Sequence, residues 1–234
     1  MKKERLSKVL AYFGLASRRA CEELIQHGHV RVNRKRILLP QTLVDRENDV
    51  IEVRGERLEK KFTRVYYAVH KPLGYTCTNS PRIRKRVVDL LPQKEGVRLF
   101  TVGRLDRDTS GLILVTNDGH FANRIMHPSG GVKKEYLAKV DREITHEHLC
   151  LLSQGCFVQG LLVKPVTVKK VRRSTVRIVV QEGRYHEVRE LLHAARLKVL
   201  ELTRIRIGPL SLGKLPIGAF KPLSQEEVEK LFPS

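Results

Sequence analysis

The chain has 234 residues, 41% of them hydrophobic, enough apolar material for one large folded domain or two modest ones. Forty-five Lys and Arg stand against 25 Asp and Glu, a formal charge of +20 that favours nucleic acid as partner over an anionic membrane. No apolar run approaches the roughly 20 residues that span a bilayer, and no signal-peptide pattern opens the chain, so a soluble cytoplasmic protein is expected.

In chain order, Leu6, Val9, Leu10 and Phe13 form a helical stripe that stops at Gly14. Ser17 is placed as the N-cap of a second helix, Arg18 to His27, ended by Gly28. Val30 and Val32 alternate with Arg31, and residues 50–53 alternate similarly, giving short strands. Arg18, Arg19, Arg31, Arg34, Lys35 and Arg36 crowd the helix start and the strand turn, where backbone N–H groups also attract anions. A charged linker is expected over 59–64.

Beyond it the pattern predicts a strand over 65–69, a turn at Lys71-Pro72-Leu73-Gly74, a basic loop over 80–86 and a helical turn from Val87. Strand-like residues 99–102 lead into Gly103-Arg104-Leu105-Asp106-Arg107-Asp108-Thr109-Ser110-Gly111-Leu112, and an apolar strand follows. As strand residues i and i+2, Arg104 and Asp106 would share a face, with Leu105 packed behind. Asp108 is expected to form the turn through its side chain. Further on, helices are expected over 119–126, 145–152 and 187–197, and strands over 136–140, 166–171, 175–180 and 203–207. Ser224-Gln225-Glu226-Glu227 opens a last helix as a capping box. Strands and helices without regular βαβ repeats predict an α+β fold on a mixed, largely antiparallel sheet. Cysteines 21, 77, 150 and 156 form no C-x-x-C pair and have no zinc-spaced histidine, so no metal is expected. There is neither a dinucleotide fingerprint nor a Walker lysine loop, and no cofactor is expected.

The 103–112 stretch resembles the catalytic motif of pseudouridine synthases, in particular the RsuA/RluB family. Lys134-Glu135-Tyr136, Glu182-Gly183-Arg184-Tyr185-His186-Glu187-Val188-Arg189 and Arg206-Ile207-Gly208-Pro209-Leu210 extend the likeness. Arg5-Leu6-Ser7-Lys8, Ser17-Arg18-Arg19 and Val30-Arg31-Val32-Asn33 resemble the S4 RNA-binding domain. The likeness implies a small αα-β S4 domain over residues 1–60 and a catalytic domain with flanking helices over 61–234. It implies isomerisation of a uridine in ribosomal RNA by a monomer, with the large subunit favoured over the small. Asp106 would be the catalytic aspartate, acting as base at the ribose C2′ or nucleophile at C1′. Tyr136 would stack on the uracil, and Arg189 would pair with Asp106. Arg104 and Arg184 join Arg5, Lys8 and the S4 cations as RNA ligands. Two departures stand out: Arg34 where relatives often carry Gly, and Glu187 where many carry Gln, which leaves a uracil contact at 187 in question. The competing readings are a silent S4-containing assembly factor and a synthase acting on tRNA.

Overall fold

The computed structural model describes residues 3–59, 63–92 and 97–232. The chain divides into two compact units, Met1–Arg64 with Gln93–Arg98, and Val65–Pro92 with Leu99–Ser234. The linker expected over 59–64 and the boundary at 60/61 fall largely on residues 60–62, outside the described residues.

In the first unit the helices are Leu6–Tyr12 and Arg18–Gln26, and the Ser17 hydroxyl accepts from the Ala20 N–H at 3.1 Å. Their apolar stripes meet: Leu6, Val9, Leu10, Cys21 and Ile25 bury against Val30, Val44 and Ile51. Strands Lys35–Ile37, Val30–Val32, Ile51–Val53 and Glu56–Arg57 lie side by side in that order. Alternation buries Val30 and Val32 and leaves Arg31 exposed between Arg36 and Glu52. The hairpin turn holds Asn33 at φ 49° and Arg34 at φ 68°, both left-handed, as a tight two-residue hairpin requires. Asn33 braces it, donating to Asp49 Oδ1 and accepting from the Val50 N–H, each at 2.9 Å. A short pairing of Glu4–Arg5 with Leu43–Val44 carries too few residues to show in the hydrophobic pattern.

The second unit is built on one sheet with strands in the order Thr167–Arg172, Thr175–Val180, Lys134–Val140, Val199–Ile207, Ser110–Thr116, Tyr66–Lys71 and Phe220–Pro222. Phe100–Val102 adds to Ser110–Thr116, and Leu210–Ser211 to Val199–Ile207. Every described pairing in it is antiparallel save one, between Ser110–Gly111 and Thr203–Arg204. That parallel junction is tight: a Cβ on Gly111 would lie 2.2 Å from the Arg204 carbonyl oxygen, and Gly111 holds φ 109°. The strand that follows the signature therefore needs glycine there.

Helix Gly119–Met126 covers one face, its Phe121 and Ile125 packing with Ala68, Leu112, Leu114 and Val228. Asp118 caps it, accepting from the His120 and Phe121 N–H groups and from the Tyr66 hydroxyl. Helices His146–Gln154, Glu187–Ala194 and Gln225–Lys230 complete the α+β architecture, and the last carries the capping box from Ser224. The helix expected to reach 197 stops at Ala194, since Arg196 turns left-handed at φ 58°. A hairpin, Cys156–Val158 with Leu161–Val163, was not anticipated because its strands are too short to establish a period.

Candidate active site

The strand Phe100–Val102 ends at Gly103, whose φ of 75° breaks the extended path. Residues 104–106 therefore lie in irregular backbone, and the expected strand geometry for Arg104 and Asp106 does not hold. The alternation survives all the same: Leu105 is buried, while Arg104 and Asp106 both line a cleft of about 660 Å³.

This loop is pinned from several sides. The Leu105 N–H donates to Cys77 Sγ at 3.3 Å, the Gly74 N–H to the Arg107 carbonyl at 2.8 Å, and the Thr109 N–H to the Asp106 carbonyl at 3.1 Å. Lys71, wholly buried, donates from Nζ to the carbonyls of Thr109 at 2.7 Å, Pro72 at 3.1 Å and Arg107 at 3.5 Å. Burial holds the Lys71 ammonium below the ordinary lysine value, an effect opposed by Cys77, Asp106 and Asp108. The Lys71-Pro72-Leu73-Gly74 turn is thus the clamp that fixes the signature loop.

Tyr136, Arg184 and Arg189 line the same cleft. The expected ion pair between Arg189 and Asp106 is not what the structure holds. Arg189, in the first turns of helix Glu187–Ala194, reaches Asp108 instead: Nη2 lies 2.8 Å from its Oδ2 and donates to its carbonyl and to Thr109 Oγ1, each at 3.1 Å. The turn after Asp106 swings Asp108 toward the helix, so the Asp108 carboxylate serves Arg189 and not the turn. The group beside Asp106 is His186, its Nε2 3.4 Å from Oδ1. Arg189 Nε stays buried with no hydrogen-bond partner among the described residues.

Tyr136 is 8% exposed, and its hydroxyl accepts from Arg204 Nη1 at 3.4 Å. Arg204, 5% exposed, also donates from Nε to the Leu112 carbonyl at 2.7 Å, while its Nη2 lacks a partner among the described residues. It ties the tyrosine strand to the strand that leaves the aspartate loop. Lys134 donates to the Gln181 carbonyl at 2.9 Å, and burial, reinforced by Arg204 and opposed by Glu187, pushes its pKa down to about 8. Glu187, 3% exposed, accepts from the Arg184 N–H at 2.7 Å, and burial raises its carboxyl above the ordinary range. It therefore closes the turn into its helix. Arg184 is ion-paired with Glu182 at the cleft rim.

Lys71, Lys134 and Arg204 were not singled out from the sequence. Lys71 and Lys134 stand at the ends of their strands and Arg204 inside one that alternates with charged residues, where each is indistinguishable in sequence from a solvated charge. Lys134 and Arg204, with Arg104, Arg184 and Arg189, give the cleft wall an excess of positive charge over Asp106, Glu182 and Glu187, suited to an anionic or carbonyl-bearing ligand.

Lys134 yields a testable pH effect. The unfolded chain keeps this proton to about 10.4 and the folded chain to about 8. Between those values the unfolded state binds more protons, so folding stability rises with pH. Urea unfolding across that window should show a steeper rise for the wild type than for Lys134→Met. Parallel curves would mean that Lys134 titrates normally.

Comparison with known proteins identifies the family. A family model for RNA pseudouridylate synthase matches residues 65–194, and an S4 domain model matches residues 4–51. The ribosomal large subunit pseudouridine synthase B of Bacillus subtilis is 37% identical over 97% of this chain and 95% of its own length.

The chain belongs to the RNA pseudouridylate synthase family. A crystal structure of a pseudouridylate synthase superposes with a TM-score of 0.71 at 28% identity, covering 97% of this chain and 99% of that one. A chloroplast relative from Arabidopsis thaliana, SVR1, is 44% identical over 97% of this chain, which spans 60% of that relative's length. Within the family fold, the signature loop, the Tyr136 strand and the helix bearing Arg189 converge on one cleft. The S4 cations Arg5, Arg18, Arg19, Arg31, Arg34 and Lys35 are exposed in the first unit, whereas Lys8 is held by Glu4.

Proposed function

We propose that this chain converts a uridine of ribosomal RNA to pseudouridine, in the large subunit, with Asp106 as the catalytic carboxylate. The observation that carries the reading is Asp106 at the edge of the cleft on a loop fixed by Lys71, Cys77 and Gly74. A carboxylate held in one geometry can act repeatedly at one sugar without reorganising. The ribosomal substrate and the large-subunit preference rest on the name of the Bacillus subtilis relative.

The reaction breaks the N1–C1′ bond, turns the uracil and rejoins it through C5. Asp106 serves either as base at C2′ or as nucleophile at C1′. Tyr136 gives the uracil a ring face, held by Arg204. The target nucleotide leaves its stack at a cost of a few kcal/mol, and the exposed Arg104 at the cleft takes an adjoining phosphate or the vacated position. Arg189 acts by anchoring the Asp108–Thr109 turn, and Arg184 lies at the rim where RNA enters. The reading needs no cofactor. It takes residues 1–60 as the RNA-binding module, 61–234 as the catalytic domain, and the protein as a cytoplasmic monomer.

Pseudouridine mapping in ribosomal RNA from cells lacking this protein tests the reading. One large-subunit position should lose its modification and regain it on complementation. A full set of ribosomal pseudouridines, or a loss confined to tRNA, would overturn it.

The S4 cations make a separate prediction. Replacing Arg18 and Arg19 by Ala should lower the slope of log affinity against log salt by about 0.7–0.9 per lost phosphate contact. An unchanged slope in RNA titrations would remove both residues from the interface.

A further inference from the structure

Tyr185 and His186, in the turn that opens helix Glu187–Ala194, have no part in the scheme so far. Their rings stack at a centroid distance of 3.9 Å with 16° between planes. His186 stands left-handed at φ 56°, ψ 15°, a conformation that residues with a side chain adopt only under constraint. That backbone sets its Nε2 3.4 Å from the Asp106 carboxylate. Tyr185 is 55% exposed although it lines the cleft, and one face of its ring rests on His186. A large aromatic left open inside a cleft, stacked on the histidine that meets Asp106, is unusual for a ring that serves packing alone.

The cleft, at about 660 Å³, falls in the upper part of the range for ligand-holding clefts, roughly 300–1,000 Å³. The charge around it favours a polyanion: Arg104 has no ion-pair partner among the described residues, and Arg184 stands next to Tyr185.

We infer that the Tyr185–His186 stack is a second base subsite, which takes an unpaired RNA base neighbouring the target uridine. The inference rests on the proposed synthase reading. The neighbour stacks on the open face of Tyr185, while His186 links that platform to Asp106, so seating the neighbour also positions the target. Single-strand recognition commonly works this way, because every base has a face to stack and the contact needs no particular sequence. The nucleotides on both sides of Asp106 are then held: one base at Tyr136, the next at Tyr185.

The test uses the full chain and a large-subunit rRNA transcript, with RNA binding and pseudouridine formation measured separately. Tyr185→Ala should raise the KM for the transcript about tenfold and lower kcat less, whereas Tyr185→Phe should match the wild type. Tyr185→Leu keeps the bulk without the ring face and should behave like the Ala variant. Equal KM values for the wild type and the Ala and Leu variants would overturn the subsite. So would a fall in kcat alone. A stem-loop carrying the modified uridine, with an abasic residue in place of each neighbour in turn, supplies the decisive comparison. One abasic position should abolish the difference between wild type and Tyr185→Ala. An equal penalty on intact and abasic RNA would make Tyr185 a structural support and defeat the proposal. A wild-type chain that binds the transcript but forms no pseudouridine defeats the synthase reading, whereas loss of the Tyr185 effect in an active enzyme defeats the subsite only.

Discussion

Asp106→Asn should abolish uridine isomerisation, with kcat down by at least about 10⁴-fold, while RNA affinity changes by no more than about threefold. Asn keeps the shape of the carboxylate and removes both its charge and its basicity. The loop should survive the change, since what fixes it is backbone and Cys77 contacts, with the Asp106 carbonyl accepting from the Thr109 N–H. The Asp106 side chain itself meets only His186 among the described residues. Turnover on a transcript by Asp106→Asn within a factor of ten of the wild type would remove Asp106 from the chemistry. A comparable loss of RNA binding would show that the variant had disturbed the cleft.

Lys71→Met should lower the unfolding free energy by about 3 kcal/mol and the midpoint temperature by roughly 6–12 °C. The substitution removes a buried ammonium that serves the carbonyls of Pro72 and Thr109, and takes a second, longer donor from the Arg107 carbonyl, which keeps the Gly74 N–H. It also removes a fixed positive charge from behind the Asp106 loop. Activity should therefore fall even well below the new melting temperature, where the variant is folded. A thermal melt matching the wild type would show that the Lys71 contacts carry no net stability. A less stable enzyme with full kcat at low temperature would show that the loop keeps its geometry without the clamp.

Local structure was legible wherever one residue type carries a local rule. Ser17 and Ser224 cap helices through hydroxyls that accept from N–H groups three residues on. The short helix after Ser17 and the longer sheet strands followed from apolar spacing, whereas several strands of two or three residues, such as Phe220–Pro222, did not. The placement of Asp106, Tyr136 and Arg189 on one cleft came from family likeness, because no local rule connects residues so far apart in the chain. The Arg189–Asp106 pair shows where such likeness stops. Which carboxylate a guanidinium reaches depends on the direction of a turn, and Asp106 and Asp108 differ by only two positions. Lys71, Lys134 and Arg204 stayed hidden for a related reason. Burial of a long cation is set by the strands that close over it, here by the tight approach at Gly111, and strand order leaves no mark on the spacing of residues. His186 was equally silent, since its left-handed backbone arises only when the loop is folded onto the helix.

Arg34 occupies the second position of a hairpin turn where both residues are left-handed, a place that glycine fills without strain. Keeping an arginine there costs the first unit roughly 1 kcal/mol. Under the proposed function that cost has a return, because the turn tip carries a cation flanked by Arg31 and Lys35. The hairpin is set for grip on a phosphate chain at the expense of its own stability. A glycine at this tip would give a sturdier module with a weaker hold.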